Sequence, residues 1–304
     1  MIDDTALLEE LRPYAFSIAY RMLGSVAEAE DVVQDALLRV HRAVEAGTRF
    51  DSPRAYVATV TTRLALDQLK SARVRRETYV GEWLPEPIVT DEGADPERHA
   101  EVADMVSYAF LALLERLSPE QRAVLLLRDV FEYEYPEIAS IVGTSPENAR
   151  QLASRARRHV TEGRPRFEAS REDHRALVTG FLAAVEHGDV QALERMLADD
   201  VVLHGDGGGK VPAVMRALHG REHAIRTLAA WWRAGMAGRA VARAVDVNGE
   251  PGAVLRDAAG DLVGVISIEV RDGLIVAIRS VVNPDKLQHL GRVGDMHALL
   301  AKDG

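Results

Sequence analysis

The chain of 304 residues contains no cysteine. That excludes a disulfide framework, a thiolate zinc site, an iron–sulfur cluster and a cysteine nucleophile. No apolar run approaches the ~20 residues that a membrane helix needs. The first residues, Met1-Ile2-Asp3-Asp4, have neither the basic nor the apolar segment of a secretory signal. A cytoplasmic protein without a membrane partner is expected. The histidines at His174, His187, His204, His219, His223, His289 and His297 are scattered, without the close pair of a helical metal site. No metal and no cofactor are therefore expected. Positive charge is in the minority, 37 basic against 47 acidic residues. This argues against nucleic-acid binding by the surface as a whole, but it leaves room for local basic patches. A hydrophobic content of 47% suffices for ordinary cores, and the length suggests two or three domains.

Helical periodicity dominates residues 1–80. Leu7, Leu8, Leu11, Ala15, Ile18 and Met22 lie on one helical face, and Ala29, Val32, Val33, Ala36, Leu37 and Val40 on another. Ser52-Pro53 reads as the cap and first residue of a third helix. Residues 81–103 hold Gly81, Pro85, Pro87, Gly93 and Pro96 among many acids, the composition of a linker. Trp83-Leu84-Pro85-Glu86-Pro87 within it is unusual for a spacer, and a tryptophan there is expected to dock on something. Residues 104–165 return to helical spacing. From 167 to 304 one or two helices precede short alternating segments at 201–204, 240–247, 252–256, 262–270 and 274–282, with a helix at 223–234. Asn248-Gly249, Ala259-Gly260-Asp261 and Asp272-Gly273 mark the turns. The expectation is two all-α domains followed by an α+β cone with a curved antiparallel sheet.

The strongest local signal runs from Glu134 to Gln151. A short helix stops at Gly143, suited to the left-handed closing position, and Ser145-Pro146 opens a second helix. Ala149, Leu152, Ala153, Ala156 and Val160 repeat at helical spacing and should face inward. Glu147, Asn148, Arg150, Gln151, Ser154, Arg157 and Arg158 should face outward, with Ser145 and Arg155 beside them. Such a helix-turn-helix can place its second helix in a major groove. Between Ser145 and Arg166 stand six arginines against two glutamates, a local positive excess in an acidic chain. The first domain carries further charged faces. The second helix is acidic (Glu28, Glu30, Asp31, Asp35), as a face seeking a basic protein partner would be. The third carries Arg63, Lys70, Arg73, Arg75 and Arg76 against Asp67.

These residues resemble the extracytoplasmic-function (ECF) sigma factors of RNA polymerase. Tyr20 to Ser25 with Ala29 to Val40 is similar to region 2, and Leu117 to Val130 leading into the helix-turn-helix is similar to region 4. The resemblance implies that Asp31, Gln34, Asp35 and Leu38 dock on the β′ clamp helices of core polymerase. Region 4 would meet the β flap and read the promoter −35 element through Ser145 to Arg158. Arg63, Asp67, Lys70, Arg73, Arg75 and Arg76 would serve at the −10 element. The loop Thr48–Ser52, with Phe50, would hold a flipped base.

Beyond residue 165 the chain departs from the minimal family. Asp206-Gly207-Gly208-Gly209-Lys210, the Trp83-Leu84-Pro85 motif and Asn283-Pro284-Asp285-Lys286-Leu287 resemble the ECF subgroup with a fused SnoaL-like (NTF2-like) domain, taken to be a built-in regulator. The three motifs are expected to form one contact zone. His204, Asp206, Lys210 and Asp257 are the candidates for acid–base chemistry in the cone. The favoured reading has no catalytic residue, a monomer, and a cone that either senses a small ligand or faces protein alone. The alternative is a helix-turn-helix regulator that dimerises or senses a ligand through its C-terminal domain.

Overall fold

A computed structural model describes residues 4–90, 107–161, 170–233 and 238–301. The chain divides into two compact units, Met1–Thr78 with Phe110–Arg164, and Tyr79–Ala109 with Pro165–Gly304. The linker is thus split from the first unit at Tyr79 and belongs with the C-terminal domain.

The first unit is helical: α1 (Asp4–Leu23), α2 (Val26–Glu45), α3 (Pro53–Glu77), α4 (Tyr108–Leu114), α5 (Pro119–Asp129), α6 (Tyr135–Val142) and α7 (Pro146–Thr161). Its α2 is capped by Ser25, whose hydroxyl accepts the Glu28 amide at 3.2 Å, and it buries Ala29, Val32, Val33, Ala36 and Val40. At α5, Ser118 and Gln121 exchange the reciprocal bonds of a capping box. Gly143 ends α6 at φ 76°, and the Ser145 hydroxyl accepts the Asn148 amide at 3.2 Å to open α7. The helix-turn-helix core is Val124, Leu127, Ile138, Ala139, Ile141, Ala149 and Ala153. Of the inward-facing set expected on α7, Ala149, Ala153, Ala156 and Val160 are buried and Leu152 is half-buried.

Arg122, only 2% exposed, ties the halves of this unit together. Its guanidinium donates to Leu114 O at 2.7 Å and to Met22 O at 2.7 Å, joining α5 to the C-terminal ends of α4 and α1. Those ends present carbonyls without intrahelical partners.

The second unit contains α8 (Arg171–His187), α9 (Val190–Met196), α10 (Arg221–Trp231) and α11 (Met296–Leu300). Its seven strands are β1 (Val89–Thr90), β2 (Leu197–Asp206), β3 (Leu218–His219), β4 (Ala240–Val247), β5 (Glu250–Asp257), β6 (Leu262–Arg271) and β7 (Leu274–Val281), in the order β1-β4-β5-β6-β7-β2-β3. All neighbours are antiparallel except β2 and β7. The expected segments at 201–204, 240–247, 252–256, 262–270 and 274–282 are strands, and the helix expected over 223–234 is α10. The reading lacked β1, β3 and α11.

Alternation gives the sheet two different faces. Leu203, Ile268 and Ile278 pack with Phe181, Leu193 and Ile225 of the helices. Val245, Val254, Val265 and Val281 point the other way, where Leu84, Tyr108 and Leu287 cover them. The linker therefore supplies both an edge strand and a hydrophobic cover to the sheet.

Candidate functional site

Four surfaces carry the residues singled out in the sequence. On α2, Asp31, Gln34, Asp35 and Leu38 are all exposed. Their spacing sets them along one stripe opposite the buried face, with Leu38 an apolar side chain 43% exposed. This is a surface of acid around one hydrophobic anchor.

On α7, Glu147, Asn148, Arg150, Gln151, Ser154, Arg155, Arg157 and Arg158 are exposed, as is Ser145. Not all are equally free. Arg157 Nε donates to Asp129 Oδ2 at 2.9 Å, and that carboxylate raises the guanidinium's pKa above its ordinary value. Arg150 lies 5.2 Å from the centre of the Tyr135 ring, and Asn148 Nδ2 donates to Thr144 Oγ1 at 2.7 Å.

On α3, Arg63, Asp67 and Lys70 are exposed, but Arg63 and Lys70 are engaged. Arg63 donates to Ser140 O at 2.9 Å and to Ile141 O at 3.2 Å, the open carbonyls at the C-terminal end of α6, where a cation is favoured. Lys70 pairs with Glu120 at 3.5 Å. Phe50 is half-buried against Tyr56, ring centres 4.5 Å apart. The side chains of Arg73, Arg75 and Arg76 lie outside the described residues, as do residues 91–103 of the expected linker and the arginines at 164 and 166.

The fourth surface lies within the second unit, where the three motifs meet around Asp206. Its carboxylate is fully buried. Oδ2 accepts the Leu84 amide at 2.8 Å and pairs with Lys286 Nζ at 2.7 Å. Oδ1 accepts the Tyr79 hydroxyl at 2.6 Å and the Gly208 amide at 3.1 Å. Lys286 also donates to Leu84 O and sits 3.8 Å from the centre of the Trp83 ring. Asn283 Nδ2 donates to the Tyr79 hydroxyl at 2.8 Å. Burial, and then the bond and charge of Asp206, push the Tyr79 phenol well above its ordinary range, so it stays protonated as a donor. Two glycines are demanded by fit. At Gly208 (φ +60°) a Cβ would stand 2.3 Å from Asn283 Nδ2, and at Gly209 (φ +70°) it would stand 2.8 Å from Val80 Cβ. Lys210 forms an exposed pair with Asp285 at 2.6 Å. Pro284 starts a short 3₁₀ turn ending at Lys286, and Leu287 is buried beside Leu84.

Three further carbonyls of the described part of the linker are bonded. Pro85 O accepts the Tyr108 hydroxyl at 2.6 Å, Pro87 O is bonded to His289 Nε2 at 2.8 Å, and Ile88 O accepts the Asn248 amide at 2.8 Å. Tyr79, Glu82, Tyr108 and His289 were missed in the sequence. Tyr79, an aromatic hydroxyl just ahead of the tryptophan motif, offered a signal; the others offered none. The four candidates for acid–base chemistry in the cone are not gathered: Asp206 faces the linker, His204 is bonded to Glu82 Oε1 at 2.8 Å, Lys210 is exposed, and Asp257 accepts turn amides of Ala259 and Asp261 at 2.9 Å.

The chain matches the models of Sigma-70 region 2 over residues 7–75, Sigma-70 region 4 over 107–160 and a SnoaL-like domain over 178–278. It is 40% identical over 288 residues to the ECF RNA polymerase sigma factor SigJ of Mycobacterium tuberculosis, covering 91% of each chain. It is 33% identical over 281 residues to the probable ECF RNA polymerase sigma factor SigI of the same organism, covering 92% of this chain and 93% of that one. The crystal structure of M. tuberculosis SigJ superposes with a TM-score of 0.76 at 36% identity, covering 93% and 98% of the two chains. A helix-turn-helix regulator that dimerises or senses a ligand through its C-terminal domain is not favoured, because region 2 is present beside region 4. The chain belongs to the ECF RNA polymerase sigma factors, which direct promoter-specific transcription initiation and are not an enzyme family, and it carries a C-terminal SnoaL-like domain.

Proposed function

We propose that this sigma factor is regulated in cis by its SnoaL-like domain through the linker, and that it works as a cytoplasmic monomer. The observation that carries the reading is the buried contact of Leu84 and Tyr79 with Asp206, and of Asp206 with Lys286. Because the linker separates regions 2 and 4 in sequence, docking it on the C-terminal domain shortens the tether between them. The spacing of the −10 and −35 contacts then depends on whether the linker is docked.

In the same reading Asp31, Gln34, Asp35 and Leu38 dock on the β′ clamp helices, and region 4 meets the β flap. Arg150, Gln151, Ser154, Arg155 and Arg158 contact the −35 element, with Ser145, Glu147 and Asn148 at the start of α7 and Arg157 nearer the phosphates. Arg63, Asp67, Lys70, Arg73, Arg75, Arg76 and Phe50 serve at the −10 element, which requires Arg63 to leave the carbonyls of Ser140 and Ile141. The cone holds a small ligand and does no chemistry. In support, its cavity is lined mostly by apolar side chains, with the hydroxyls of Thr227 and Ser280 and with His204, whose ring is bonded to Glu82 of the linker.

Co-elution with sigma-free core RNA polymerase tests the docking face. The wild type should co-elute, and a variant with Asp31→Ala and Asp35→Ala should not. Retention of the variant would refute the assignment of that face.

A further inference from the structure

Region 4 gathers three arginines around one aromatic ring. Tyr135 opens α6 and is half-buried, packed against the core of the helix-turn-helix. The guanidiniums of Arg128, in the last turn of α5, and of Arg150, on α7, each lie 5.2 Å from the centre of the ring. That is inside the ~6 Å over which a cation is drawn to an aromatic face. Arg157, two turns further along α7, has Asp129 as its main partner and the Tyr135 hydroxyl as a second one. The three are not held alike. Arg128 Nη1 donates to Glu134 Oε1 at 2.7 Å and to Tyr133 O at 2.9 Å, and Arg157 Nε donates to Asp129 Oδ2 at 2.9 Å. Among the described residues, the one ion pair of Arg150 is with Glu147, one turn back on the same helix, at 3.9 Å, and the two side chains are 55% and 75% exposed. A pair so long and so wet restrains little. The Tyr135 ring is therefore the main restraint on Arg150.

Restraint at that place bears on recognition. Arg150 stands in the first half of α7, and the N-terminal residues of such a helix are those that reach base edges in a major groove. A free arginine samples many rotamers, and ordering it is part of the cost of binding. Its planar fork meets guanine O6 and N7 together, so a misdirected guanidinium loses both bonds at once. A ring that limits the orientations of the guanidinium before DNA arrives lowers that cost at one base. The carboxylates of Glu134 and Asp129 complete the arrangement, because they neutralise Arg128 and Arg157 and let three guanidiniums converge on the ring.

We propose that Tyr135 is a positioning residue for promoter recognition, whose ring holds the Arg150 guanidinium in the pose from which it meets a base edge of the −35 element. The assignment rests on the reading above in which α7 contacts that element. Tyr135 acts through Arg150, by the attraction between cation and ring, and this separates its role from the packing it also provides to the helix-turn-helix core.

The test uses core RNA polymerase loaded with the full-length chain and a pool of DNA duplexes of random sequence, from which bound molecules are recovered and sequenced. The wild type should enrich a −35 motif, and Arg150→Ala should erase the preference at one position of it, expected to be a guanine. Competition between the selected duplex and one changed at that base then gives the discrimination of each variant. Tyr135→Leu keeps an apolar side chain against the core and should lower discrimination at that same position by about two- to fivefold, leaving the other positions as they were. Tyr135→Phe keeps the ring and should rescue most of the loss. Trifluorophenylalanine in place of Tyr135 keeps the shape of Phe but cancels most of the ring's negative face, so it should behave like Tyr135→Leu. With Arg150→Ala already present, Tyr135→Leu should cost nothing further at that base. Circular dichroism melting checks folding, and should Tyr135→Leu not fold, the comparison of Phe with trifluorophenylalanine decides. Equal discrimination by those two, or a loss spread evenly over the whole motif, would overturn the positioning role. A wild type that enriches no −35 motif, or an Arg150→Ala variant that keeps it whole, would instead overturn the reading on which the role rests.

Discussion

Asp206 and Lys286 form an ion pair of 2.7 Å in which the side chains are 0% and 6% exposed. Such a pair contributes little net stability over an apolar substitute, because both charges have lost their water. With the Leu84 amide and the Tyr79 hydroxyl, it ties the linker to the domain by directed polar contacts. Removing one partner strands the other charge. Asp206→Ala is expected to lower the stability of the second unit by about 3–5 kcal/mol, read by chemical unfolding. The double variant Asp206→Leu with Lys286→Met should recover most of that loss, so the two single effects should be strongly non-additive.

Gly208 has a φ of +60° and no room for a Cβ beside Asn283. Gly208→Ala should cost at least about 1–2 kcal/mol from the left-handed backbone alone, with the contact against Asn283 adding to it. A lower thermal midpoint should be accompanied by greater solvent exposure of Trp83, seen as a red shift in its fluorescence.

In the first unit, Arg122 holds two helix ends through a fork of donors. Arg122→Met should leave the Met22 carbonyl without that donor, at about 1–3 kcal/mol, and remove the 2.7 Å ion pair with Glu115, whereas Leu114 O keeps the Leu117 amide at 3.0 Å. Arg122→Lys should rescue little, because a single ammonium cannot reproduce the planar fork. Unfolding of residues 1–165 by denaturant measures both.

His174 sits under the sheet with Nε2 bonded to Ile268 O at 3.0 Å, and burial lowers its pKa below the ordinary 6.5. The folded state therefore favours the neutral ring, and the unfolded chain takes up the proton first as pH falls. Stability attributable to this group is fully present above about pH 6.5 and declines as pH drops below that value toward the lowered folded-state pKa. His174→Gln should flatten that part of the stability profile, followed by denaturant midpoints from pH 7.5 to 5.

Much of the molecule was legible because its local signals agree. Helical spacing and capping residues such as Ser25 and Ser145 mark the first unit, and alternation between Asn-Gly and Asp-Gly turns marks the sheet. The linker was harder. Val89 and Thr90 form an edge strand although they follow three prolines and glycines within nine residues, and two residues are too few for a period to show. That Lys286 is buried could not be read from its type, since lysine is ordinarily exposed. Only the fold brings Asp206, 80 residues away in sequence, to neutralise it. The charged face of α3 was visible as a pattern, but the engagement of Arg63 by the end of α6 depends on tertiary packing that no local window contains.

In the function proposed above, the docked linker governs sigma output. Core RNA polymerase loaded with the wild type, or with the Asp206→Leu, Lys286→Met double variant together with Leu84→Ala, would be given fragmented genomic DNA, and the transcript starts would be sequenced and counted. The account predicts that the variant still co-elutes with core polymerase but initiates with altered efficiency, most of all where the −10 to −35 spacing differs. Unchanged starts and efficiencies at every promoter, with core binding intact, would contradict it.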